Sequence, residues 1–256
     1  MSRGSLIGLG TVGVLLATWY VLTMVTGTID TGRFPSPDDV WLAANQVVIK
    51  GYANGRLHIH ILHSLKLVAM GFLFAIAVGV PLGLLMGWSS RAEALINPIF
   101  LLVRPVPPLA WIPLAILWLG LGDSAKVMVI FFAAFVPAVI NTYAGVRNIG
   151  SPIVEAARML GTPRTALVLE VLVPAALPSI FTGLRLALQA SWTTLVAAEL
   201  VGAIAGLGRI LNVAQQDLYP GMILVAMIWV AILGWSTTRL LAAIEERALP
   251  WLVVRG

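Results

Sequence analysis

Residues Glu155-Ala156-Ala157-Arg158-Met159-Leu160-Gly161 form a polar island between two long apolar runs, 125–145 and 177–200, and their reading decides the fold. From 146 to 173 the chain gathers Arg147, Arg158, Arg164, Glu155 and Glu170, although charged residues are only 11% of the whole. Ser151-Pro152 reads as a helix N-cap followed by proline at the first helical position. Ile153, Ala156, Ala157 and Leu160 then share one helical face. Gly161 supplies a left-handed stop. Thr162-Pro163 restarts a second helix, and Pro174 and Pro178 punctuate its exit into the next apolar run. The expected shape is helix, glycine corner, helix, lying flat beneath a membrane.

Composition supports the membrane setting. The chain has 256 residues, 59% of them hydrophobic, and a mean hydropathy of +0.96. This is the profile of a polytopic membrane protein. A net charge of +5 suggests nucleic acid only where basic residues cluster, and here they are scattered, so they read as topology signals and no nucleic-acid partner is expected. The absence of cysteine excludes disulfides, thiolate metal sites and cysteine catalysis.

A crossing helix needs about 20 apolar residues. Six segments qualify: 6–26, 64–87, 97–119, 125–145, 177–200 and 220–242. The first is longer than a signal-peptide core and lacks a clear small-x-small cleavage site, so it reads as a retained anchor, with a cleaved signal as the alternative. The third and fourth are joined by Gly120-Leu121-Gly122-Asp123-Ser124, a tight turn by composition. The chain therefore reads as one all-α transmembrane domain, 1–256, with six spans.

Placing the N-terminus in the cytoplasm puts eight arginines inside: Arg3, Arg91, Arg147, Arg158, Arg164, Arg239, Arg247 and Arg255. Five basic residues then lie outside: Arg33, Lys50, Arg56, Lys126 and Arg209. Lys66, Arg104 and Arg185 fall within or at the ends of spans. The bias favours cytoplasmic N- and C-termini and a cytoplasmic 146–173 hairpin.

The external 34–60 segment opens with Phe34-Pro35-Ser36-Pro37-Asp38-Asp39, where Asp38 is the expected N-cap, and continues with helical apolar spacing at Val40, Trp41, Ala44, Val47 and Val48. An amphipathic helix on the outer surface follows, either a spacer or a contact for an external partner. In the second span Gly79, Gly83 and Gly87 recur every four residues, a pattern for close helix packing. His58, His60 and His63 have no acidic or cysteine companion nearby and read as interfacial histidines; no metal site is expected.

Spacing alone leaves the hairpin two roles: resting on lipid headgroups, or offering a thin, alanine-rich helix to a groove in another protein, with Glu155 and Arg158 at its rim. A family resemblance separates them. Glu155-Ala156-Ala157, three residues, Gly161, nine residues, Val171 and then Val173-Pro174 resembles the EAA loop (EAA-x3-G-x9-I-x-LP) of ABC-importer permeases, with valine replacing isoleucine at 171 and leucine at 173. The resemblance implies a type I importer permease fold. It also implies that Glu155, Ala156, Ala157, Arg158 and Gly161 belong to a coupling helix that docks into a cytoplasmic ATP-binding subunit. Arg104-Pro105-Val106-Pro107-Pro108-Leu109-Ala110-Trp111-Ile112-Pro113-Leu114 is similar to the third-span segment of taurine-type permeases. So are Gly183-Leu184-Arg185 and Ser191-Trp192-Thr193-Thr194-Leu195-Val196-Ala197-Ala198-Glu199-Leu200. By resemblance the chain looks like the taurine, sulfonate and nitrate branch over residues 60–245.

The resemblance further implies a homodimer of permease subunits, two ATP-binding subunits and an external solute-binding protein, in a bacterial cytoplasmic (inner) membrane. ATP and Mg²⁺ would sit on the partner ATPase. No G-x4-G-K-[ST] sequence occurs here, so no cofactor and no ATP hydrolysis are expected of this chain.

Four prolines between 105 and 113 interrupt the third span. Carbonyls freed by prolines must face protein or a water-filled cavity, so either a kinked packed helix or a solute cavity results. Arg104 either meets an anionic solute or reaches for the cytoplasmic interface. Candidate path residues are Arg104, Pro107, Trp111, Gln189, Trp192 and Thr193. Gln189 and Thr193 share a helical face, with Trp192 as a bulky gate; hydrogen bonding between helices is the competing role. Glu199 is placed for an outer salt bridge or for an external binding protein. An ion-coupled secondary carrier would want intramembrane carboxylates, and the spans offer essentially Glu199. An intramembrane enzyme would need a catalytic constellation, and none emerges.

Overall fold

In the computed structural model, residues 3–30, 32 and 34–251 are described. Arg33 and Arg255 of the charge count lie outside them. Among the described residues all regular structure is helical, apart from a single antiparallel bridge between Tyr52 and Gly55.

The helices are α1 (Arg3–Tyr20), α2 (Pro37–Asn45), α3 (Leu57–Trp88), α4 (Ser90–Val103), α5 (Ile112–Leu119), α6 (Asp123–Arg147), α7 (Ser151–Met159), α8 (Arg164–Ala166), α9 (Val173–Leu200), α10 (Leu207–Gln216) and α11 (Pro220–Ala248). Wide π turns continue α1 over Val21–Val25 and α2 over Gln46–Lys50, and a third, Leu167–Leu172, joins α8 to α9. Leu57–Trp88, Asp123–Arg147, Arg164–Leu200 and Pro220–Ala248 are each long and apolar enough to cross a membrane. Ser90–Val103 and Pro108–Leu119 qualify together, bent by 84°, and Gly10–Val25 is a shorter apolar helix. Each of the six apolar runs thus has a helical counterpart.

The chain divides into two compact units, Met1–His63 with Ile204–Ala231, and Ser64–Ala203 with Ile232–Gly256. In the second, α6 is the central helix. A Cβ built on Gly71, Gly79, Gly83 or Gly87 would stand 2.5–3.2 Å from Ile130, Ala138, Thr142 or Val146 respectively. Ala75 packs with buried Ala134 in the same line. The two backbones therefore touch along five turns of α3, two more than Gly79, Gly83 and Gly87 alone mark. Residue numbers rise together along both helices, so α3 and α6 run parallel. The chain between them must return across, and the bent pair 90–119 makes that crossing.

The opposite flank of α6 receives α9. A Cβ on Gly145 would meet Ser179 Cβ at 2.7 Å, and one on Gly183 would meet Asn141 Cβ at 2.6 Å. Here the numbers run in opposite senses, so α6 and α9 are antiparallel. α9 is antiparallel in turn to α11, through an Arg185–Glu245 ion pair and a 3.0 Å hydrogen bond from Trp192 Nε1 to Thr237 Oγ1.

In the first unit, Ser36 caps α2: its hydroxyl accepts the Asp39 N–H while Asp39 accepts the Ser36 N–H. The N-cap is therefore Ser36 and not Asp38, because Pro37 suits the first turn and Asp39 stands at the third position of a capping box. Buried His60 holds the 51–56 turn. Its Nδ1 accepts the Gly206 N–H at 3.0 Å, which leaves Nε2 as donor to the Tyr52 carbonyl at 3.0 Å. Tyr52 donates to Asp217 at 2.5 Å, and Tyr219 donates to Gln46 at 3.2 Å. Burial, then the Asp217 hydrogen bond, pushes the Tyr52 hydroxyl above the usual phenol range.

Candidate coupling helix and translocation path

The polar island folds as a short helix with a defined end. Gly150 is its N-cap and Ser151 its first residue, one position earlier than the sequence suggests, with Pro152 in the first turn. At the other end the Thr162 N–H bonds the Ala157 carbonyl at 3.2 Å, and the Gly161 N–H bonds that of Arg158 at 3.0 Å. These are the paired bonds of a Schellman stop. Gly161 takes φ +75°, which a side chain disfavours.

The second arm departs from expectation. Arg164–Leu200 is one continuous helical stretch, so Pro174 and Pro178 do not separate the hairpin from the fifth span. The π turn Leu167–Leu172, closed by the Val173 N–H on the Val168 carbonyl, widens the helix just before Pro174 and takes up its ring. The second arm of the hairpin and α9 are therefore one continuous helix.

α7 packs little of itself against its own chain. Val154 and Ala157 are half-buried, while Ile153, Glu155, Ala156 and Arg158 are exposed. Met159 and Leu160 are 84% and 86% exposed. Two polar ties brace its surroundings. Before the hairpin, Glu93 at the start of α4 accepts from Tyr143 and lies 3.3 Å from the Arg147 guanidinium, both on the last turns of α6. After it, Arg185 of α9 pairs with Glu245 in the final turns of α11 and also donates to Thr182.

The proline-rich segment is a sharp corner. Arg104 closes α4, its N–H on the Phe100 carbonyl at 2.9 Å, and its side chain is exposed, as is Pro107. A 3₁₀ turn, Pro108–Trp111, then leads into α5. That turn touches both α6 and α9, and the Trp111 indole stacks on Phe132 with centroids 4.3 Å apart. On α9, Gln189 and Thr193 share an exposed face, with Thr193 Oγ1 donating to the Gln189 carbonyl at 3.1 Å. Trp192 is turned inward, 5% exposed, and held by Thr237. Its indole is a fixed strut between α9 and α11, so it does not stand as a gate beside Gln189 and Thr193.

A model of the family described as binding-protein-dependent transport system inner membrane component matches residues 79–249. The chain belongs to this family of ABC-importer permease components. The taurine transport system permease protein TauC of Escherichia coli (strain K12) is 34% identical over 98% of this chain and 91% of its own length. The putative aliphatic sulfonates transport permease protein SsuC of Bacillus subtilis (strain 168) is 33% identical over 93% of this chain and 84% of that protein. The nitrate import permease protein NrtB of Synechocystis sp. is 34% identical, covering 93% and 87%. The solved structure of inward-facing MetNI methionine ABC transporter conformations overlays with a TM-score of 0.63. It covers 74% of this chain and 94% of that one at 21% identity, a likeness of fold.

In the permease, several residues that periodicity does not mark hold the frame. Glu199 is fully buried, and its carboxylate accepts the Ser64 hydroxyl at 2.8 Å. It is therefore neither a surface salt-bridge partner nor a contact for an external protein. Lys126 is 6% exposed and lies 3.6 Å from Asp123 in the first turn of α6. Gly145 and Gly183 make the α6–α9 contact but stand alone in sequence, without a repeat to flag them.

Proposed function

We propose that this permease component builds, with a second copy, the membrane path of an ATP-driven importer for a small organic sulfonate, taurine first. The path has six spans, with both chain ends and the α7 hairpin on the cytoplasmic side. Two ATP-binding subunits seat on the two α7 helices, and an external solute-binding protein delivers the cargo. ATP and Mg²⁺ act on those subunits. Glu155, Ala156, Ala157, Arg158 and Gly161 form the docking surface; Arg104, Pro107, Trp111, Gln189 and Thr193 belong to the path.

One observation carries this reading. The most exposed apolar side chains of the hairpin, Met159 and Leu160, lie beside Glu155 and Arg158 on a rigidly ended helix that its own chain leaves uncovered. A lone interfacial hairpin needs no such stop, whereas a helix entering a protein groove gains from a thin, preformed shape. The Glu93, Tyr143 and Arg147 cluster and the Arg185–Glu245 pair then give the load a path into α4, α6, α9 and α11. The relatives named for taurine, aliphatic sulfonates and nitrate support a small anion as cargo, and exposed Arg104 is electrostatically suited to one.

The test is uptake by the complex reconstituted with its ATP-binding and solute-binding partners. Labelled taurine should enter only with ATP, and unlabelled taurine should compete better than longer alkanesulfonates or nitrate. Better competition by nitrate or a longer sulfonate would reassign the cargo. Uptake without an ATPase subunit would overturn the importer reading.

A further inference from the structure

The first unit carries an exposed surface apart from the α7 hairpin and the path residues. Trp41, Leu42 and Ile49, on α2 and its π turn, are 69%, 64% and 64% exposed, and Val48 is 51% exposed. Trp41 and Val48, and Leu42 and Ile49, are each seven residues apart, about two turns, and form one apolar face. Where the stripe ends the chain makes a tight turn, and an open concavity there is lined by Lys50, Tyr52, Asn54, Arg56, His58 and Ile59. Lys50, Arg56 and His58 are exposed. Among the described residues, Lys50 and Arg56 have no carboxylate within ion-pair distance.

The turn is stiff. Tyr52 and Gly55 exchange backbone hydrogen bonds of 2.8 and 3.2 Å, Gly51, Ala53 and Asn54 take positive φ, and buried His60 hooks the Tyr52 carbonyl. The cations are thus presented on a fixed loop. Three apolar helices begin or end near α2 or the turn that follows it. Trp19, near the end of α1, donates to the Pro35 carbonyl at 3.0 Å. α3 begins at Leu57, directly after the turn. Gly221, at the start of α11, lies so close to α2 that a Cβ on it would be 3.0 Å from the Asp39 carbonyl oxygen. Such a gathering of apolar helix ends suits the headgroup level of a bilayer.

We infer that α2 and the 50–58 turn form a phospholipid site, the apolar stripe seated among acyl chains and Lys50, Arg56 and His58 gripping the phosphate of an anionic headgroup. An exposed Trp–Leu–Val–Ile stripe has little to gain from water, and an acidic protein surface would leave it uncovered, whereas a lipid satisfies stripe and cations together. A cation beside an anionic bilayer strengthens binding by about fivefold, so losing two should weaken the lipid preference by more than tenfold.

The experiment uses Trp41 as the reporter. The full-length protein and its Trp41→Phe variant are placed in bilayers containing acyl-brominated phosphatidylglycerol or phosphatidylcholine, and the difference in tryptophan quenching isolates Trp41. Quenching stronger for phosphatidylglycerol, weakened by salt, removed by Lys50→Gln with Arg56→Gln and kept by Lys50→Arg, is the expected result. An unchanged melting temperature would show that the Gln variants remain folded. Equal quenching by both lipids, or a preference the Gln variants retain, would overturn the site. So would an unquenched Trp41 combined with loss of solute-binding-protein attachment in the Gln variants, which would assign the surface to that protein.

Discussion

Gly83 and Thr142 hold α3 and α6 in backbone contact: a methyl group on Gly83 would stand 2.7 Å from Thr142 Cβ and 2.8 Å from the Val139 carbonyl oxygen. Neither neighbour is the flexible end of a long side chain, so the helices themselves must part. Gly83→Ala should destabilise the protein by about 1–3 kcal/mol, the usual cost of an overpacked contact. Gly83→Val should prevent folding. Thermal unfolding in detergent checks the first, and recovery of monodisperse protein the second. An Ala variant of normal stability would show that the contact is looser than described.

Thr237 gives the Trp192 indole its hydrogen-bond acceptor between α9 and α11. Thr237→Ala should cost about 1–3 kcal/mol by leaving a buried N–H unpaired. Thr237→Ser should recover most of that loss. If the seam merely needs filling, Thr237→Val should rescue as well as serine does, and the two melting temperatures separate these accounts.

Ser64 and Glu199 are both fully buried, and the Ser64 hydroxyl reaches both carboxylate oxygens, at 2.8 and 3.1 Å. Ser64→Ala should weaken stability by about 1–3 kcal/mol through the lost charge-assisted bond. Glu199→Ala should cost more, because it leaves a cavity as well as removing the carboxyl that accepts the Ser64 hydroxyl. Solute-binding-protein attachment to the folded Glu199 variants should be unchanged, since Glu199 does not reach the surface.

Tyr52 is predicted to stay protonated well beyond the pH at which a free phenol ionises. Its raised pKa means that the stabilisation from the Asp217 contact is complete below the ordinary phenol value near 10. It is lost only as pH climbs through the higher folded value. Tyr52→Phe should therefore cost about 1 kcal/mol at pH 7 and the same at pH 9, as read by unfolding at both pH values.

The parts of this architecture most legible in sequence are those carried by repetition or punctuation. Apolar runs mark the helices, Gly79, Gly83 and Gly87 mark the α3–α6 seam, and Gly161 marks the end of α7. Four prolines foretell the corner between α4 and α5. Less legible features depend on partners distant in the chain. Gly145 and Gly183 acquire meaning only once α9 lies antiparallel to α6, and Glu199 is internal only because Ser64 lies against it. Pro174 misleads because a π turn, which has no composition signature, absorbs it. Ser36 outcompetes Asp38 as a cap because capping depends on the third residue along, Asp39, as much as on the cap itself. In α7 the residue types are readable, but their exposure is not, since apolar Ile153 and Leu160 carry no sign in sequence of lying on the surface.

The central claim is that α7 seats on an ATP-binding subunit, and the absence of native cysteine makes it directly measurable. Leu160→Cys, at the exposed end of α7, should cross-link to a cysteine placed in the helical cleft of the ATP-binding subunit, and ATP should change the yield. Ile204→Cys, 79% exposed in the first unit, should give no such product. Strong cross-linking from Leu160→Cys alone is the predicted result; no product from Leu160→Cys in a complex that still couples ATP hydrolysis to uptake would contradict the account.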